Sequence, residues 1–211
     1  MSKIEAIISD FGGVLTSPLL DSFASFQDSS GISLQDLGAA MAAVAQRSGA
    51  NPLFELETGR MSETDFLHSL AHELTQRLGR EVELRGFGER YFEELNPNER
   101  VIDYMRELRA RGYKMAICTN NVREWEPLWR AKLPVEEIFD VVIDSAFVGT
   151  RKPERRIYEI TLERLEVPSH AALLIDDIEL NCAAARELGM KTVWFRETDQ
   201  AIGEIEAALA A

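Results

Sequence analysis

Cysteine is nearly absent from this chain, with only Cys118 and Cys182 in 211 residues and no C-x-x-C spacing between them. That excludes a disulfide framework and a zinc knuckle of paired thiolates, and it suits a reducing compartment. Long apolar runs are missing as well: none reaches the roughly 18 residues of a membrane span, and the longest are strand-sized. A positive charge balance is also lacking, since 23 Lys and Arg face 36 Asp and Glu for a net charge of -13. The electrostatic footprint of a nucleic-acid or anionic-membrane binder is therefore not there, and neither partner is expected. Met1-Ser2-Lys3-Ile4-Glu5 runs straight into a strand-like segment, which leaves no room for a signal peptide and predicts a cytoplasmic protein.

What is present is core-forming material. With 45% hydrophobic residues the chain can bury a substantial interior, as one large domain or two small ones. Ile4 to Ser9 reads as a buried strand ending at Asp10, with Gly12-Gly13 marking a tight turn. From about Leu19 to Leu95 the pattern is helical only; Ser62 and Asp65 resemble a capping box ahead of Phe66, Leu67 and Leu70. After Asn96-Pro97-Asn98 an amphipathic helix carries Val101, Tyr104, Met105 and Leu108 on one face and stops at Gly112. Strand-like runs then follow at Lys114 to Cys118, Val141 to Ile143, Ala172 to Ile175 and Lys191 to Phe195, with helix-sized segments between them. This alternation predicts an α/β, doubly wound (Rossmann-like) parallel sheet with a helical cap inserted after the first strand. The expected division is a core of 1–18 and 96–211 and a cap of 19–95.

In an open parallel sheet, ligands bind beyond the carboxyl ends of the strands. The residues expected there are Asp10; Thr119, Asn120 and Asn121; Arg151 and Lys152; and Asp176 and Asp177. Three carboxylates meeting in one crevice repel one another unless a divalent cation sits among them, and oxygen-only ligands point to Mg2+.

Four short motifs in order resemble those of the haloacid dehalogenase-like hydrolase superfamily: Asp10-Phe11-Gly12-Gly13-Val14-Leu15-Thr16, Cys118-Thr119-Asn120, Arg151-Lys152-Pro153 and Ile175-Asp176-Asp177-Ile178-Glu179-Leu180-Asn181. The run Phe147 to Glu154 with Ile157-Tyr158-Glu159 is most similar to the branch holding the N-terminal phosphatase domain of soluble epoxide hydrolases and bacterial sugar-phosphate phosphatases. The resemblance implies a phosphatase for a small phosphorylated metabolite, with Asp10 as the nucleophile that forms an aspartyl-phosphate. It implies Mg2+ held by Asp10, the Gly12 backbone carbonyl and Asp177, with Asp176 assisting directly or through water. It also implies that Thr119, the Asn120 backbone N–H and Lys152 bind the phosphoryl oxygens. A monomer or a homodimer is expected.

Gly12 departs from the family pattern, because most phosphatases of the superfamily carry a second Asp there to protonate the leaving group. Positioned proton transfer contributes about 10²–10⁴-fold, so a good leaving group or another acid is needed. Glu55, Glu57 and Asp21 of the cap are the alternatives in the sequence. Two other functions stand beside the phosphatase: a metal-independent 2-haloacid dehalogenase, whose halide leaves without a proton, and a catalytically silent phospho-ligand-binding or regulatory protein. Asp176-Asp177 argues against the dehalogenase, since a metal-free displacement at carbon has no use for two acids beside an anionic nucleophile.

Simpler roles exist for the same residues. Asp10 alone suits a turn, Asp177 suits an N-cap for the helix near Ile178, and Thr119, Asn120 and Asn121 suit a strand end. Lys152 would be a helix-start residue but for Pro153, which is expected to fix the helix start and leave Lys152 on a loop. His68 and His72, spaced i, i+4, read as a surface pair because Ser69 replaces the general base of a zinc protease motif. Trp125, Leu128 and Trp129 read as core or oligomer contact. Gly86-Phe87-Gly88 lacks the third glycine and the strand context of a dinucleotide loop.

Overall fold

The computed structural model describes residues 3–18, 27 and 30–211. Strand β1 (Ala6–Ser9) is followed, among the described residues, by the helices α1 (Leu34–Ser48), α2 (Pro52–Glu57), α3 (Glu63–Leu78) and α4 (Phe87–Glu93). Next come α5 (Glu99–Ala110), β2 (Lys114–Thr119), α6 (Glu126–Arg130), α7 (Val135–Ile138), β3 (Val141–Asp144) and α8 (Ser145–Val148). The chain closes with α9 (Arg155–Leu165), β4 (Ala172–Asp176), α10 (Glu179–Glu187), β5 (Lys191–Trp194) and α11 (Thr198–Ala210). The five strands form one parallel sheet in the order β3-β2-β1-β4-β5.

Successive strand residues point to opposite faces, and here both faces are buried, which is why the strands read as continuous apolar runs. Ile7, Met115, Ile117, Leu173 and Ile175 pack under α5 and α11, against Leu108 and Ile205. Ala6, Ile8, Ala116, Cys118 and Leu174 pack on the other side, against Ile157 and Tyr158 of α9 and Ala185 of α10. Both cysteines are free and buried.

The helices α1–α3 bury a second apolar cluster that includes Leu37, Val44, Leu56, Phe66, Leu70 and Leu74, whereas Phe92 of α4 packs into the core under the sheet. α3 starts where its sequence signals it: Ser62 Oγ accepts from Asp65 N–H and donates to the Asp65 carboxylate. The segments entering and leaving this helical layer run side by side, with Ser17 N–H donating to Asn96 C=O at 2.7 Å and Asn98 N–H to Leu15 C=O at 2.9 Å. Among the described residues, no helix is long and apolar enough to cross a membrane.

Two local expectations differ from the structure. α9 begins at Arg155 behind Glu154, so Pro153 stands outside it. A turn comes first, closed by Glu154 N–H to Arg151 C=O at 2.8 Å, and Lys152 sits inside that turn. Asp177 does not cap α10. Asp176 turns the chain there, its Oδ1 accepting from Ile178 N–H at 2.9 Å.

Candidate active site

β1 lies at the centre of the sheet, between β2 and β4, where the order of strands reverses; this is the crevice in which ligands of open α/β sheets sit. Ser9 pairs with Ile117 on one side and Ile175 on the other, so the next residue of each strand brings Asp10, Cys118 and Asp176 level. A further peptide bond is pinned as Asp10 N–H donates to Ile175 C=O at 2.9 Å.

The centre is an ion triad. Lys152 Nζ lies 2.9 Å from Asp10 Oδ1 and 2.6 Å from Asp176 Oδ2, with Lys152 and Asp176 sealed from solvent. Burial alone would push the ammonium down, but Asp10 and Asp176 together reverse it, and Lys152 is held above its ordinary range as a fixed cation. Asp10 Oδ1 also accepts from Phe11 N–H at 2.6 Å, which fixes the carboxylate plane. Burial pushes the Asp10 carboxyl upward; Lys152 opposes this and the charges of Asp176 and Asp177 add to it. Asp177, half-buried, is raised by burial and by Asp176.

Asp10, Asp176 and Asp177 each offer a carboxylate oxygen, and these lie within 4.8 Å of one another. An all-oxygen donor set of three mutually repelling acids fits a hard divalent cation. Gly13 is shaped to the same cluster: it has φ +75, and a Cβ there would collide with the Asp177 carboxylate.

Around the triad, Asn120 clamps the Lys152 backbone, its Oδ1 accepting from Lys152 N–H at 2.7 Å and its Nδ2 donating to Lys152 C=O at 3.0 Å. That side-chain role was not foreseen. Nor was that of Asn181, whose Nδ2 donates to Asp176 Oδ1 at 2.9 Å; its only sequence signal was its place five residues after Asp176 in the fourth motif.

A cavity of about 480 Å³ opens between the sheet and the helical layer. Asp10, Gly12, Thr119, Asn120, Asn121, Arg151, Lys152 and Asp177 all reach its wall. Asp176 does not; it lies fully buried behind them, hydrogen-bonded to Lys152, Ile178 N–H and Asn181. Arg151 does not offer a free charge to the cavity. Its Nε meets Glu57 Oε2 at 2.5 Å, and its guanidinium lies 3.9 Å over the Phe54 ring.

Of the three alternative acids, only Glu57 is described on the cavity wall. Burial raises its carboxyl despite the opposing Arg151. Glu55 is instead held by Arg60 at 2.9 Å, and Asp21 lies outside the described residues. Trp129 and Leu128 belong to the core as expected, but Trp125 lines the cavity, stacked on Tyr91 at 5.7 Å and donating to Glu63 Oε1 at 2.7 Å. Gly88 is the residue that lets it lie there, since a Cβ would strike the indole nitrogen. His68 and His72 are exposed on α3, with His72 Nε2 bonded to Gln76.

A family profile described as haloacid dehalogenase-like hydrolase matches residues 4–189. The chain is 35% identical over 109 residues to glyceraldehyde 3-phosphate phosphatase of Pyrococcus abyssi, a match covering 50% of this chain and 44% of that protein. The chain thus matches less than half the length of that relative. It is 26% identical over 202 residues to the sesquiterpene phosphatase astK of Aspergillus oryzae, covering 90% of this chain and 88% of that one. A solved HAD family enzyme of Bacteroides thetaiotaomicron, in complex with magnesium and inorganic phosphate, shares the fold with a TM-score of 0.65 at 19% identity, covering 92% of this chain and 94% of the other.

Proposed function

The chain belongs to the haloacid dehalogenase-like hydrolase family, and from that premise we propose that it is a Mg2+-dependent phosphatase acting on a small phosphate monoester through an aspartyl-phosphate. The observation that carries this reading is the meeting of Asp10, Lys152 and Asp177 on one cavity wall, with Asp176 behind them. Support comes from the phosphatase names of the Pyrococcus and Aspergillus relatives and from the magnesium and phosphate in the Bacteroides enzyme. The division into a core of 1–18 and 96–211 and a cap of 19–95 belongs to the same proposal.

Asp10 is the nucleophile. Its Oδ1 is occupied by Phe11 N–H and Lys152, which leaves the second oxygen to attack phosphorus. The Lys152 ammonium, the Thr119 hydroxyl and the Asn120 backbone N–H face the charge that builds on the transferring oxygens. Asp176 is a positioning residue that aims Lys152. Asp10, Asp177 and the Gly12 carbonyl, with Asp176 directly or through water, would hold Mg2+, whose positive charge would let an anionic nucleophile approach an anionic phosphate. In the first displacement the P–O bond to the alcohol breaks and the alcohol oxygen takes a proton; in the second, water cleaves the aspartyl-phosphate. With Gly12 in place of an acid, Glu57, whose carboxyl is raised by burial, is the carboxyl that the helical layer brings to the cavity wall, and in its protonated form it would supply that proton.

The test is phosphate release from an aryl phosphate by the purified protein. Release is expected with Mg2+, and it should stop on addition of EDTA or in Asp10→Asn. Gly12 favours one second reading, the metal-independent 2-haloacid dehalogenase. Halide release from a 2-haloacid without metal, surviving Asp177→Ala, would replace the phosphatase with that enzyme.

A further inference from the structure

The floor and the roof of the cavity have opposite chemistry. The floor, built from the strand ends, carries Asp10, Thr119, Asn120, Lys152 and Asp177. The helical layer contributes Leu37, Met41, Leu53, Phe66, Leu67 and Leu70, among other apolar residues. Among the described residues, Glu57 is its only charged side chain on the wall, already paired with Arg151, and Tyr91 brings its only hydroxyl.

A polyol phosphate held here would press its hydroxyls against leucine and phenylalanine, and each unmatched hydroxyl would weaken binding. An apolar chain loses nothing in the same place and gains by leaving water. The space is also larger than packing tolerates without a purpose, because interiors are close-packed and apolar voids destabilise. Its volume of about 480 Å³ is that of a ligand pocket, not of a packing defect. One wall is braced: Trp125 is fixed by Glu63 and by the Tyr91 stack, so the cavity does not simply collapse. At its margin Leu34 and Ile178 are both lining residues and about half exposed, as an entrance for an apolar chain requires.

We propose that the substrate is the phosphate monoester of an extended apolar chain, with the phosphate on the floor at Asp10 and Lys152 and the chain in the space beneath α1–α3. The cleavage of that ester rests on the phosphatase reading; the recognition of its chain does not.

The two are separated by measuring binding without turnover. Alkylphosphonates of increasing chain length, below their micelle concentration and with Mg2+ present, are titrated into the wild-type protein, and Kd is read by isothermal titration calorimetry. Kd should fall about fourfold per added methylene until the cavity is full, then level off. Met41→Trp, which narrows the wall, should bring the plateau to shorter chains. Equal Kd for methylphosphonate and the long-chain members, or glucose 1-phosphate bound as tightly as the longest chain, would overturn the proposal. Phosphate release from an aryl phosphate, assayed alongside, keeps the two readings distinct. Chain-length-dependent binding without any release would remove the phosphatase alone, and release without chain-length dependence would remove the apolar substrate alone.

Discussion

Lys152 Nζ stands 2.6 Å from Asp176 Oδ2 where neither side chain meets solvent. Such a pair is held for placement and not for stability, since desolvating two charges offsets most of their attraction. Its function is to keep a positive charge fixed beside Asp10, whose Oδ1 lies 2.9 Å from the same nitrogen.

Breaking the pair should therefore be costly in both respects. Lys152→Met leaves Asp10 and Asp176 uncompensated; phosphate release should vanish and stability should drop by about 3–5 kcal/mol. Adding Asp176→Asn should restore part of the stability and none of the activity. Urea midpoints of the two single variants and the double variant measure this coupling, and additive losses would contradict it.

Mg2+ and Asp177 are linked through charge repulsion. Without metal, Asp177→Asn should raise Tm, because one of three crowded carboxylates is gone. With Mg2+ added, the wild-type Tm should rise and that of the variant should move much less. Thermal unfolding with and without EDTA reads both effects; an equal Mg2+-induced shift in the two proteins would remove Asp177 from the metal site.

Glu57 is tested through the leaving group. If it supplies the proton that Gly12 cannot, Glu57→Gln should slow release from an alkyl phosphate about 10²-fold or more, and should affect an aryl phosphate with a good leaving group far less. Equal slowing for both would assign Glu57 to holding Arg151 and Phe54 in place instead.

Asp144 gives a pH dependence away from the site. Burial pushes its carboxyl up to about 6, against hydrogen bonds from Ala146 N–H and Trp129. The folded value lies above the unfolded one, so the stability it contributes is full below about pH 4 and is lost as pH rises through about 6. Asp144→Asn keeps an acceptor oxygen without the charge. Its Tm relative to wild type should increase between about pH 4.5 and 7; a constant difference over that range would contradict the assignment.

Most of the sheet was legible because each strand is an apolar run ended by a polar residue. β2, β3 and β4 run one residue past the expected ends, into Thr119, Asp144 and Asp176, since these still pair through their backbones. The floor residues could be named because strand ends are fixed by local sequence. The walls could not. Arg151 meets Glu57 across 94 positions of sequence, and Trp125 faces the cavity only because α4 docks with Gly88 beneath its indole. Contacts of that kind depend on how one layer settles on another, and no local pattern encodes them. Asp177, which in sequence also suits an N-cap, does not cap α10; the helix has no side-chain cap, and Asp176 Oδ1 accepts instead from the N–H of Ile178, the residue before the helix.

The central claim is that Asp10 becomes phosphorylated during turnover. The direct measurement is an acid quench of the protein while it consumes an aryl phosphate with Mg2+, followed by mass spectrometry of the peptide that holds Asp10. One phosphoryl group on Asp10, absent in Asp10→Asn and absent with EDTA, is the predicted result. An unmodified Asp10 in protein that is releasing phosphate would contradict the account.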